Sequence, residues 1–338
     1  MSFEGFDGKK ILITGGTGSF GQFMVKTLLE SHKPARVIIL SRDEWKQSEM
    51  QKTYDPRVHP CLRYFIGDVR DLPRLKTAFH GVDYVIHAAA LKQIGACEYN
   101  PYEAIKTNVI GGQNVVEAAV EMGVKLVVAL STDKAAAPVN LYGATKLCSD
   151  KLIIAANQMG AGATKTCVVR YGNVFGSRGS VVPLFLQEKQ NGTLTVTDER
   201  MTRFTISPSQ GVQFVLDAFK RMQGGELFIP KLPSYRIRDV ATAIAPEGKI
   251  EITGIRPGEK LHECMIPADE SYCTLEYESY YVIYPAVYKD EYKKGGKPVA
   301  ECFEYSSGTN TWWLSVEQLR EQEYLEGREK ESLVEYSK

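Results

Sequence analysis

Six short runs rich in branched apolar residues recur through the first half of the chain with helix-length segments between them. They are Ile11-Leu12-Ile13, Val37-Ile38-Ile39-Leu40, Tyr64-Phe65-Ile66, Tyr84-Val85-Ile86, Leu126-Val127-Val128-Ala129-Leu130 and Cys167-Val168-Val169. Apolar runs of this length without polar alternation predict strands buried on both faces. The helical patterns between them, notably Glu98 to Met122 and Leu141 to Gln158, make the connections β-α-β crossovers and the sheet parallel. The expected fold is α/β: a Rossmann-type doubly wound parallel sheet with a smaller C-terminal lobe.

At 338 residues a single core is near the size at which chains split. After about Asn173 the alternation loosens, with Gly176, Gly179, Pro183 and Gly192 in loops and a helix over Gln210 to Met222 standing more alone. Residues 1–172 are therefore expected to form the dinucleotide-binding domain. Residues 173–338 are expected to form mainly the substrate lobe, with some segments returning to the core. A strand is expected through Tyr280-Tyr281-Val282-Ile283-Tyr284 and an exposed turn over Lys293 to Lys297, while Glu321 to Lys338 reads as a solvated helix or frayed tail. With 43% apolar and 24% charged residues the composition excludes collagen, coiled coil and disorder.

Lys plus Arg number 41 against 41 Asp plus Glu, so no global field draws the chain to nucleic acid or an anionic membrane, and any anion site must be local. The Cys residues at 61, 97, 148, 167, 264, 273 and 302 show no C-x-x-C pair or His-spaced ligand set, so they are expected to be reduced and mostly buried, with no metal. The acidic start, Met1 to Asp7, lacks a signal-peptide apolar region, and no run approaches a membrane span. A cytoplasmic location is expected.

Directly after the first strand stands Gly15-Gly16-Thr17-Gly18-Ser19-Phe20-Gly21, opening a helix whose first amides can hold a pyrophosphate. The second strand ends Leu40-Ser41-Arg42, where Ser41, Arg42 and Lys46 would grip a ribose 2′-phosphate. That favours NADP, although a solvated Arg42 would leave the choice open. Asp68, with Val69 after it, either accepts from the adenine amino group or caps a turn. Ala88 and Ala89 permit close backbone approach to a cofactor or simply pack, and Lys92 beyond them is free to reach a phosphate.

The chemistry converges on Ser131-Thr132-Asp133-Lys134 and the following Leu141-Tyr142-Gly143-Ala144-Thr145-Lys146. Tyr142 and Lys146 are four apart and share one helix face. An ammonium beside a phenol pulls its pKa of about 10 toward working pH, which suits Tyr142 to take a proton from a sugar hydroxyl.

At these residues the sequence resembles the extended short-chain dehydrogenase/reductases acting on nucleotide sugars. More narrowly, it is similar to the inverting UDP-N-acetylglucosamine 4,6-dehydratases of pseudaminic acid biosynthesis. That likeness rests on Ser41 to Glu44, Gly67 to Asp71, Ser131 to Lys134, Asn140 to Lys151, Arg170 to Val174, Gly176 to Pro183 and Arg256 to Glu263, and spans roughly residues 8 to 310. The resemblance implies tightly bound NADP recycled in each turnover: hydride leaves C4, water is expelled across C5 and C6, and hydride returns to C6.

It also implies the roles. Tyr142 takes the 4-hydroxyl proton, Lys146 orients the nicotinamide ribose, and Thr132 steadies the C4 oxygen. Lys134 is the C5 base and Asp133 the acid at the 6-hydroxyl. Lys134 must act neutral, which desolvation or a neighbouring cation would permit. Relatives that retain C5 configuration carry an acid in its place, so Lys134 implies inversion. Val174 joins the cofactor site, while Lys92, Asn173, Arg178, Gly179, Ser180, Val181, Arg203, Thr205, Arg256 and Glu259 are expected around UDP-N-acetylglucosamine, with guanidinium groups forked onto phosphate.

Homo-oligomers, hexamers among them, are implied as well. Gly95 stands where close relatives are expected to have proline. The rival readings are a capsule or O-antigen dehydratase that also epimerises C5, a plain 4-epimerase that has no need of Asp133 and Lys134, and a non-enzymatic NADP sensor.

Overall fold

The computed structural model describes residues 3–176, 180–285 and 295–321. All six expected strands form: β1 (Lys10–Thr14), β2 (Arg36–Ser41), β3 (Leu62–Ile66), β4 (Tyr84–His87), β5 (Leu126–Thr132) and β6 (Lys165–Tyr171). They pair in parallel in the order β3-β2-β1-β4-β5-β6. Their connections carry α1 (Ser19–Ser31), α2 (Glu44–Thr53), α3 (Leu72–Phe79), α4 (Ile94–Tyr99), α5 (Pro101–Ala104), α6 (Gly111–Glu121) and α7 (Leu141–Ala155).

Successive side chains of a strand point to opposite faces, and here both faces are covered. Ile11, Ile13, Ile39, Ile86 and Val128 enter one core, while Leu12, Ile38, Leu40, Val85 and Val127 enter the other. Strand β3 departs from the expectation of two buried faces: it lies at the sheet edge, and Ile66 is 52% exposed. The segment Glu98 to Met122 is not one helix, because Pro101 cannot donate to the turn before it. It divides into α4, α5, a π-helical turn over Ile105–Ile110, and α6. Helix α7 stops at Ala155 and continues as a 3-10 segment.

The later elements are β7 (Asn173–Val174), α8 (Val181–Glu188), β8 (Thr193–Val196), β9 (Thr202–Ile206), α9 (Pro208–Arg221), β10 (Leu227–Pro230), β11 (Ser234–Arg236) and α10 (Ile237–Ile244). Then come β12 (Lys249–Ile252), β13 (Cys264–Ile266), β14 (Thr274–Glu276), β15 (Tyr280–Ile283), β16 (Lys297–Pro298), β17 (Tyr305–Ser306) and α11 (Val316–Arg320). Strand β10 runs parallel beside β6, and antiparallel β15, β14 and β16 extend the same sheet to ten strands. The remaining strands form the small sheets β11-β9-β7, β12-β8 and β13-β17. A separate apolar cluster of Phe175, Phe185, Val196, Tyr235, Val240 and Leu319 supports them.

Lys297 is not in a turn as expected but pairs with Glu276 at the sheet edge, while Lys293 and Lys294 lie outside the described residues, as does the tail after Glu321. The cysteines are free, but only Cys97, Cys167 and Cys273 are buried; Cys61 and Cys264 are half-buried, and Cys148 and Cys302 exposed. Among the described residues no helix is long and apolar enough to cross a membrane, and no group of His, Cys, Asp and Glu could hold a metal ion.

Candidate active site

The C-terminal ends of β1, β2, β4 and β5 open on one edge of the sheet, where doubly wound folds bind their ligands. The glycine loop there is shaped for close approach of a dinucleotide. Gly15 has φ +66°, and a Cβ on it would lie 2.9 Å from the Ala89 Cα. A Cβ on Gly16 would lie 2.9 Å from Ile39, and one on Gly21 2.4 Å from the Gly16 carbonyl oxygen. Helix α1 is capped at Gly18 by no side chain and has no acid in its first turn, so amides near Ser19 and Phe20 are left for an anion. Thr17 is buried beneath the loop. These residues fit the pyrophosphate of a nicotinamide dinucleotide.

At the end of β2, Ser41 is buried and its hydroxyl accepts from Gln47 Nε2 at 3.1 Å. Arg42 is half exposed and lies 3.6 Å from Asp68. Lys46 pairs with Asp43 at 3.1 Å, the residue that caps α2, so Arg42 is the more available cation for a 2′-phosphate. Asp68 accepts from the Arg70 backbone at 3.0 Å and from its guanidinium at 2.6 Å, which engages it in its own turn. Buried Val69 receives Asn114 on its carbonyl, and the amides of Ala88 and Ala89 donate to Thr14 Oγ1. Asn108, in the π turn, bonds both backbone groups of Leu91 and Thr145 Oγ1, fixing the cofactor loop to α7.

Strand β5 delivers Thr132 to the cleft and passes into a 3-10 turn, Asp133–Ala135. Asn140 then caps α7 by accepting from the Gly143 amide at 2.8 Å. Gly143 is obligatory there, because a Cβ would lie 2.1 Å from the Lys134 carbonyl oxygen. This contact presses the Asp133-Lys134 turn onto the first turn of α7. Tyr142 and Lys146 are buried on one face of that helix.

Burial pushes the Tyr142 phenol up to about 12, against the Lys134 charge and a hydrogen bond with Thr132. The Lys134 charge thus acts on this phenol as well, a cation that the four-residue spacing of Tyr142 and Lys146 does not reveal. Lys146 is itself lowered by burial, while Asp150 one turn further works to raise it. Asp150 is braced in turn: Ser131 Oγ donates to it at 2.6 Å, and Arg170 lies 3.6 Å away while donating to the Met265 carbonyl at 2.9 Å. Removing one member of a buried charge pair costs about 3–5 kcal/mol, so this cluster fixes α7 against β5 and β6.

Asp133 is buried and its Oδ1 accepts from Thr132 at 2.9 Å and Lys134 at 3.0 Å, while Oδ2 has no partner. Burial raises its pKa, the direction required of an acid. For Lys134 the expectation of a desolvation-lowered amine fails. Burial does oppose its charge, but the carboxylates of Asp133 and Glu263 outweigh burial and raise its pKa. The ammonium lies 3.0 Å from Asp133, 3.1 Å from Glu263 and 3.5 Å from Asn173 Oδ1.

Glu263, which the sequence assigned no task, is buried just before β13, and its backbone amide and carbonyl both bond Ser307. Arg203 lies 3.6 Å from it and donates to the carbonyls of Thr202 and Leu261, so this guanidinium is turned inward. Lys92 faces the same cleft, where desolvation and the Lys134 charge lower its pKa.

Thr205 Oγ1, Ser180 Oγ and Glu259 Oε2 are buried without partners, polar atoms left over for a ligand. Val174 and Val181 are half-buried, Arg256 is 64% exposed, and Arg178 and Gly179 lie outside the described residues. The loop carrying Arg256 clasps the catalytic turn: Lys260 donates to the Ala136 carbonyl at 2.7 Å, and Asn140 to that of Gly258 at 2.8 Å.

A glycine-cradled dinucleotide site beside a Tyr and Lys one helical turn apart defines a Rossmann-fold enzyme of the short-chain dehydrogenase/reductase class. Within it, the chain belongs to the polysaccharide biosynthesis protein family, whose pattern matches residues 11–285. It is 55% identical over 94% of its length to a Campylobacter jejuni UDP-N-acetylglucosamine 4,6-dehydratase (inverting), covering 97% of that protein. It is 41% identical over 94% of its length to a Rickettsia conorii protein named UDP-glucose 4-epimerase, covering 95% of it. The solved structure of Pen from Bacillus thuringiensis superimposes with a TM-score of 0.86 at 38% identity, over 93% of this chain and 97% of that one.

Proposed function

We propose that this protein is an NADP-dependent, inverting UDP-N-acetylglucosamine 4,6-dehydratase, a hydro-lyase for an early step toward pseudaminic acid. The observation that carries this reading is the pairing of Asp133 with Lys134 in one hydrogen-bonded group with Thr132, on the turn pressed against the helix that carries Tyr142. Epimerisation at C4 needs an alcohol base but no second acid and base at C5 and C6.

Bound NADP would supply the acceptor for the C4 hydride and its return to C6. Tyr142 takes the proton from the 4-hydroxyl, and Thr132 orients the C4 oxygen. The resulting ketone acidifies C5–H. Lys134, once neutral, removes that proton. Asp133 protonates the departing 6-hydroxyl, the unpartnered Oδ2 being the oxygen available to carry its proton. Reprotonation on the opposite face inverts C5. Lys146 would serve the nicotinamide ribose, and Arg42 with Ser41 would hold the 2′-phosphate.

Residues 1–172 hold the cofactor in this reading, and the later segments chiefly the sugar nucleotide. Its substrate and cofactor are cytoplasmic metabolites, which supports a cytoplasmic location. We read it as a homo-oligomer, with Tyr99 and Tyr102, 87% and 68% exposed on α4 and α5, as surface a second copy would cover.

The deciding experiment is proton NMR of UDP-N-acetylglucosamine with the purified enzyme in deuterated water and no added reductant. The expected product has a new C6 methyl signal, deuterium at C5 and L-arabino couplings. Retained C5 configuration would overturn inversion, and a galacto-configured product without a methyl signal would make the protein a 4-epimerase.

Arg42→Ala tests the cofactor. It is expected to weaken NADP binding by about tenfold or more, the worth of one charge-assisted contact, and leave NAD binding within about threefold. Equal losses for both dinucleotides in fluorescence titrations would remove Arg42 from the 2′-phosphate.

A further inference from the structure

Three described residues from distant parts of the chain, Lys134, Glu263 and Arg203, form a continuous ion-paired line beneath the cleft, 3.1 Å and 3.6 Å between neighbours. We propose that Glu263 is the positioning residue of the dehydration step: it holds the Lys134 ammonium in place and sets the pH at which that amine becomes a base. This rests on the reading of Lys134 as the C5 base.

The argument is one of charge count at short range. Lys134 is faced by Asp133 from its own turn, Glu263 from the segment before β13, Arg203 from β9, Lys92 from the loop after β4, Tyr142 from α7 and Tyr235 from β11. Lys260 acts on Glu263 from the same late segment. With both acids ionised, two carboxylates balance the cations Arg203 and Lys92. In the dehydration step, however, Asp133 must carry a proton to give to the leaving hydroxyl. Among the described residues Glu263 is then the one ionised carboxylate still in contact with Lys134.

Geometry fits it for that work. Its side chain is 3% exposed, Ser307 pins its backbone amide and carbonyl, and Arg203 lies against the same Oε1 that meets Lys134. Burial works to raise the Glu263 pKa, but Lys134 and Arg203 outweigh it and hold the carboxyl ionised. A carboxylate so fixed cannot follow the amine, so Lys134 keeps one orientation through the proton transfers. It also makes the neutral amine a stronger base than burial alone would leave it.

The test compares wild type with Glu263→Gln and Glu263→Asp. The first readout needs no substrate: the rate at which acetic anhydride acylates Lys134, read by peptide mass spectrometry between about pH 7 and 11, follows the fraction of neutral amine. The second is the pH profile of C5 deuterium incorporation into UDP-N-acetylglucosamine. Gln keeps the shape and removes the charge, so both curves are expected to move down by about one pH unit or more, with KM changed less than about threefold. Asp retains the charge at longer reach, and its curves are expected to fall between the other two. If the Gln variant does not fold, the Asp variant alone decides.

Curves that superimpose on those of wild type would overturn the proposal. So would acylation raised by one factor at every pH, which signals only greater exposure. An acylation curve that shifts while UDP-N-acetylglucosamine stays unchanged would keep Glu263 in control of Lys134 and refute the dehydratase reading. Dehydration with an unshifted acylation curve would do the reverse.

Discussion

Tyr142→Phe is expected to lower turnover of UDP-N-acetylglucosamine by about 10²- to 10⁴-fold, the usual contribution of a positioned acid or base. The change deletes only the phenolic hydroxyl. The ring remains packed with Cys97 and Ala104, so folding and cofactor content should be preserved. The hydroxyl is worth about 1 kcal/mol of stability at most, a small part of a domain's total. Burial raises this phenol while the Lys134 charge works to lower it, so its proton must leave before the phenol can accept the one from the 4-hydroxyl. Product formation by proton NMR, with protein-bound dinucleotide measured by absorbance, separates the chemical loss from a folding loss. Turnover within fivefold of wild type would remove Tyr142 from the chemistry.

A methyl group placed one residue later should be nearly as damaging. In Gly143→Ala the new Cβ would sit 2.1 Å from the Lys134 carbonyl oxygen and 3.0 Å from the Pro138 Cβ. Helix α7 cannot retreat freely, because Asn140 caps it and the Asp150–Arg170 cluster braces it from below. The Asp133-Lys134 turn must therefore give way by about 1 Å, a displacement that can cost 10²-fold in rate. In an open helix the same substitution would stabilise by about 1 kcal/mol. Here the overpacking cost, of order 1–3 kcal/mol, is expected to reverse that sign. The expected result is at least about a hundredfold loss of turnover with a lowered melting temperature. A variant as active and as stable as wild type would show that the turn and the helix can part without consequence.

The two halves of the chain were unequally legible. Strands β1, β2 and β4 to β6 announce themselves because burial on both faces leaves only apolar side chains, and the glycine loop because Gly15 and Gly21 sit where no Cβ fits. Later strands are short and mix with loops; β13 and β17 have nothing periodic to read. Spacing along one helix points to Lys146 as the cation acting on Tyr142, and only the folded chain shows that the Lys134 charge acts on it too. Spacing is blind to Glu263. It stands in the stretch from Arg256 whose family likeness was plain, yet only the folded chain shows its carboxylate returning to a lysine of β5's edge. The guanidinium of Arg203 marks it for the UDP diphosphate or uracil pocket, but its pairing with that same carboxylate has no sign in the sequence.

The clasp between the Arg256 to Lys260 loop and the catalytic turn bears on how relatives of this enzyme can be recombined. Sequence order places residues 256–263 with the C-terminal segments, and a chimera designed by swapping everything after the sixth strand would exchange them with those segments. Such a graft would import foreign anchors for Ala136 and Asn140 and a foreign counter-ion for Lys134. Residues 133–143 and 256–263 are therefore one heritable unit written in two places. Crossovers that keep the two together should retain chemistry while altering which sugar is accepted.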